Sequence, residues 1–155
     1  MNPYAPPEAA VHDQPAKPGS AFKAIALGLA VDVGGSLIAS VILAAIYGAA
    51  LAAEGVKPED IAAAMQASAT DSWFFYVGSL LGLGFSVLGG YVCARIARRS
   101  EMTLGAILAV LSALSGLFLA GDALQLGTLL SMTLTGFGAV LVGARLGLAK
   151  NRAGK

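Results

Sequence analysis

Asp32 is the only charged residue between Ala24 and Ala53, an otherwise apolar run of thirty residues. An aspartate at the centre of a bilayer costs about 2.5–3.5 kcal/mol on insertion scales, so it is expected to face protein or trapped water and not lipid. An acid in that position can take up a proton or hold a cation. Ser36 and Ser40, four and eight residues on, repeat on one side of a helix and would supply neighbouring oxygen ligands. Hydroxyls in two later apolar stretches, Ser79 and Ser86 in one and Thr128, Ser131, Thr133 and Thr135 in the other, would complete the set. The competing role for Asp32 is structural. It would tie helices together by accepting from those hydroxyls or by pairing with Arg95 or Arg145, whose side chains tilt toward their own helix N-termini and so into the membrane.

Other reactive residues stand apart. His12 and Cys93 are single, whereas a zinc site needs three or four ligands together, so no metal and no cofactor is expected. With one histidine no Ser–His–Asp set can be assembled, and no paired carboxylates share a span, so no catalytic residues are expected and the chain is read as a non-enzyme. Gly34-Gly35 and Gly89-Gly90 lie inside apolar runs, not between a strand and a helix, which removes the phosphate-loop reading. A formal net charge of +1 gives no basic patch for nucleic acid, and a single cysteine excludes a disulfide framework.

The elements that must position Asp32 follow from composition. With 57% hydrophobic and 12% charged residues and a mean hydropathy of +0.76, the chain lies far from the roughly 25% charged residues of a soluble domain. The expected fold is all-α, an integral membrane bundle of four transmembrane helices over about 24–51, 73–96, 103–120 and 123–148, within a membrane domain 21–149. A Pro-rich disordered tail, 1–20, with two P-x-x-P spacings precedes it, and a basic tail, 150–155, follows. Pro58-Glu59-Asp60 marks the start of a short surface helix in the first connection. Thr70-Asp71-Ser72 offers caps to the second span, which opens on the interfacial aromatics Trp73-Phe74-Phe75-Tyr76.

Charge sets the orientation. Nine of the ten Lys/Arg fall in the N-terminal tail, in the turn holding Arg95, Arg98 and Arg99, or from Arg145 onward, and only Lys57 falls on the opposite side. Both termini are therefore expected in the cytoplasm, with the short helix outside. Small or polar residues recur every fourth position, including Gly28 in span one, Gly78, Gly82, Ser86 and Gly90 in span two, and Ser131, Thr135, Gly143 and Gly147 in span four. Such stripes let helix backbones approach closely. A shift of 49 residues also lays Gly78-Ser79-Leu80-Leu81-Gly82 on Gly127-Thr128-Leu129-Leu130-Ser131, so spans two and four read as copies crossing in the same direction.

The stretch Gly89-Gly90-Tyr91-Val92-Cys93-Ala94-Arg95-Ile96-Ala97-Arg98-Arg99-Ser100-Glu101, leading into Leu104-Gly105-Ala106, resembles a loose group of small four-span bacterial inner-membrane proteins with no assigned activity. The resemblance implies a multi-pass protein of the bacterial cytoplasmic (inner) membrane and carries no site. Small multidrug-resistance exporters share four spans and one acid in the first, but that acid is glutamate and their aromatic signature is missing. The expected partners are the lipid bilayer and either further copies of the chain or a larger membrane complex. The function expected first is that of a non-catalytic self-associating bundle or accessory subunit. The alternative is a small proton- or cation-coupled transporter or channel using Asp32.

Overall fold

The computed structural model describes residues 19–67, 72–120 and 126–153, and among these every regular element is helical. Residues 1–18 of the expected Pro-rich tail, the caps Thr70 and Asp71, the break at Gly121-Asp122 and the last two residues of the basic tail lie outside the described residues. Four helices are long and apolar enough to cross a membrane: Ala21–Ala53, Trp73–Ala97, Glu101–Leu119 within the helix Glu101–Ala120, and Leu126–Ala153. They are called spans one to four.

Span one starts at Ser20, whose extended backbone and hydroxyl cap the Lys23 amide. It ends in a Schellman motif: Gly55 takes φ +89°, its N–H bonds to the Ala52 carbonyl, and the Val56 N–H reaches back to Leu51. The surface helix runs over Ile61–Ala67, shorter than the sequence suggests. Lys57–Asp60 closes a turn through the Asp60 N–H and the Lys57 carbonyl instead, with Pro58 at its second position, where the fixed φ of proline fits. Span two ends at Arg98 in the left-handed region (φ 52°), and Ser100 (φ 47°) completes the tight turn into span three.

Span one is not one regular α-helix. Ala30–Gly34 forms a π-helical turn with Asp32 at its centre, flanked by α-helix Ala21–Leu29 and α-helix Gly35–Ala53. Such i→i+5 turns insert an extra residue into a helix, and they concentrate at functional sites. Gly35, just beyond, lies flush against the Phe85 ring, which a Cβ there would strike.

The bundle is dense at one end. Ala24, Cys93, Ala97, Leu108, Ala109 and Val140 form a continuous buried core. Glycines bring main chains together around it. A Cβ on Gly89 would come within 2.7 Å of the Gly28 carbonyl oxygen and of the Asp32 Cβ. Between spans two and four, a Cβ on Gly90 would overlap the Val140 carbonyl, one on Gly143 the Val87 carbonyl, and one on Gly147 would stand 2.7 Å from the Ala94 Cβ. This pairing sets the two similar spans side by side in the same direction. The same end is tied by polar bonds: the Gly19 amide donates to the Ala97 carbonyl, and Arg95 donates to the Asn151 side chain (3.1 Å). The Asn151 amide in turn reaches the Ala94 carbonyl (2.9 Å) and the Glu101 carboxylate (3.2 Å). At the other end, Tyr47 stacks on Phe74 and meets Trp73 edge-on, joining span one to the start of span two. Among the described residues no Cα of span one comes within 8 Å of a Cα of span four.

Candidate functional site

Asp32 is 4% exposed, and its placement follows from the π-turn and from Gly89, whose missing side chain makes room for the aspartate Cβ. Each carboxylate oxygen accepts one serine hydroxyl: Ser86 of span two donates to Oδ1 at 2.8 Å and Ser112 of span three to Oδ2 at 2.5 Å. Three spans thus meet on one acid. No arginine or lysine pairs with it among the described residues. Arg95 is engaged by Asn151, and Arg145 is exposed on span four, so neither expected charge partner serves Asp32. The reason is geometric: Arg95 lies one helical turn from the Arg98–Ser100 bend, beside the last turn of span four, where Asn151 offers a nearer acceptor.

From Asp32 a cavity of about 620 Å³ extends between the four spans, away from the dense end. Ser36 and Ser40 border it from span one, and Ser79 and Ser86 from span two. Span three adds Ser112 and Ser115, and span four adds Thr128, Ser131, Thr133 and Thr135. Leu37, Phe75, Leu83, Met132 and Phe137 make up much of the remaining wall. In span four, Ser131, Thr133 and Thr135 donate to carbonyls three or four residues earlier in their own helix, which satisfies their protons and leaves oxygen lone pairs for the cavity.

The small-residue stripes divide accordingly. Gly28, Gly90, Gly143 and Gly147 lie at close main-chain approaches, and Gly78 makes an ordinary contact with Leu43 (3.4 Å). Gly82, Ser131 and Thr135 do not pack against a neighbouring span but border the cavity, and Ser86 is a donor to Asp32. A four-residue repeat drifts about 40° per step on an α-helix, so one stripe turns from a helix neighbour to open space within a few turns. Ser112 and Ser115 of span three are absent from the hydroxyls expected around Asp32, which came from spans one, two and four. Two serines inside an uncharged span were the available signal. The closeness of Gly89 to Asp32, and the role of Asn151, leave no mark in the local sequence.

Removing either serine donor leaves a buried carboxylate oxygen short of a partner. Ser86→Ala and Ser112→Ala are each expected to destabilise the protein by about 1–2 kcal/mol, read as a lower unfolding temperature in detergent. The double variant should lose more than the sum, because the first loss still leaves one donor on the charge.

Comparisons with protein-family models, with curated proteins and with solved structures give no match to this chain.

Proposed function

We propose that this protein is a small proton- or cation-coupled carrier of the bacterial cytoplasmic membrane, with Asp32 as its coupling acid. One observation supports it above others: the carboxylate buried in span one is held by two hydroxyls alone and borders a largely apolar cavity into which all four spans contribute hydroxyls. An acid that merely ties helices needs no cavity beside it, whereas Asp32, though 4% exposed, is one of the residues that line this one. The serines suit exchange. A hydroxyl both donates and accepts, so the carboxyl can gain a proton when one serine reverses its bond, with no helix moving.

The orientation proposed from the charge count puts the Arg95–Asn151–Glu101 end in the cytoplasm and the cavity toward the outer face. Lys57→Cys should then react with an impermeant maleimide on intact cells, and Arg152→Cys only after permeabilisation. Equal access from outside would refute this orientation.

The test of function is uptake of protons or sodium by proteoliposomes carrying the wild-type chain or Asp32→Asn, with loss of uptake in the variant as the expected result. A second reading, a self-associating bundle or an accessory subunit, draws on the separation of the main chains of spans one and four, on which Ser40, Ser131 and Thr135 are exposed. It requires a dimer or larger species in detergent that Asp32→Asn dissociates, and no Asp32-dependent flux.

A further inference from the structure

The size, charge and lining of the cavity restrict what Asp32 would hold besides a proton, and this inference rests on the carrier reading above. A volume of about 620 Å³ is far more than a bare ion needs and falls within the range of small organic ligand sites. Among the described residues Asp32 is the one carboxylate that lines the cavity, and no lysine or arginine does. An anion would therefore meet uncompensated negative charge. Calcium or magnesium would keep an excess positive charge in a low-dielectric site and would lack the several anionic oxygens it usually takes. A single positive charge balances the site.

Ser86 and Ser112 spend their protons on Asp32, so their remaining lone pairs, like those of the carboxylate, can only accept. A cluster of acceptors around one negative charge matches a primary ammonium, which has three N–H donors and no acceptor, better than a quaternary one, which has no donors. Beyond this polar floor Leu83 and Met132 line the walls, and Phe75 stands at the first turn of span two, so the rest of the occupant would meet apolar surface. We infer that the cavity binds a small monoamine, its ammonium on Asp32 between Ser86 and Ser112 and its apolar body directed toward Phe75.

The experiment measures binding of radiolabelled phenethylamine, and of phenethyl alcohol as its uncharged isostere, to the purified full chain by equilibrium dialysis in detergent at neutral pH. Saturable binding of the amine is expected, with the alcohol weaker by roughly tenfold or more. Asp32→Asn should weaken the amine by a similar factor and leave the alcohol nearly unchanged. Gly82→Leu and Gly136→Leu, at cavity-lining positions where an added Cβ meets nothing within 4 Å, should block both probes with Asp32 in place. These two variants decide the matter if Asp32→Asn fails to fold. Equal affinity for the two probes, an unaltered Asp32→Asn, or full binding in both cavity-filled variants would overturn the inference. Asp32-dependent proton or sodium uptake without amine binding overturns this inference alone. Amine binding at Asp32 without any flux overturns the carrier reading and leaves the binding site.

Discussion

Vesicles carrying Asp32→Asn should take up protons or sodium no faster than empty vesicles, a loss of roughly tenfold or more against wild type. The size of the effect comes from the absence of a substitute: among the described residues no second acid and no lysine or arginine borders the cavity. Folding should survive. The asparagine carbonyl accepts from one serine, and its amide donates to the other once that hydroxyl reverses, so both bonds to Ser86 and Ser112 can be kept. Unchanged circular dichroism and elution volume beside lost uptake is therefore the expected pattern. Asp32→Leu separates charge from hydrogen bonding, since it abolishes uptake and also lowers the unfolding temperature. Uptake that persists in Asp32→Asn would end the carrier reading.

The second large effect is structural. Gly143→Ala should destabilise the bundle by about 1–3 kcal/mol, and Gly143→Leu by more, because the first added carbon overlaps the Val87 carbonyl, and main chain cannot step aside as a flexible side chain can. Gly138, five residues earlier on the same helix, has nothing within 4 Å of an added Cβ. Gly138→Ala should be neutral or slightly stabilising, by up to about 1 kcal/mol from helix propensity. Thermal unfolding of the pair in one detergent measures the contrast directly. Two equally destabilised proteins would mean that the close approach of spans two and four is not what holds them.

The four spans are legible in the chain because bilayer thickness demands long uncharged runs, and few other structures use them. Their ends are less so: span four continues as helix through Ala153, since the basic last turn suits a helix C-terminus as well as a tail. Asp32 stands out by its cost alone. Its partners do not, because which hydroxyls reach it depends on the rotation and depth of spans two and three, set by the packing of Gly28 against Gly89 and Leu108, which lie far along the chain. The π-turn leaves almost no local mark, since Gly34-Gly35 is compatible with α-helix as well. Arg95 illustrates the same limit. Its spacing suits Asp32, but the bend at Arg98 brings Asn151 beside it from the opposite end of the chain.

The one-sided density of the bundle has a mechanical consequence. Between Asp32 and the Arg95–Asn151 cluster the helices meet glycine to main chain, so nothing that reaches the acid from the cavity can continue unless two spans part along a seam. Span one is interrupted by the π-turn at Asp32 and packs on spans two and three, with its main chain kept apart from that of span four. The acid thus sits at the crotch of the bundle, where the end laced by Asn151 gives way to the cavity.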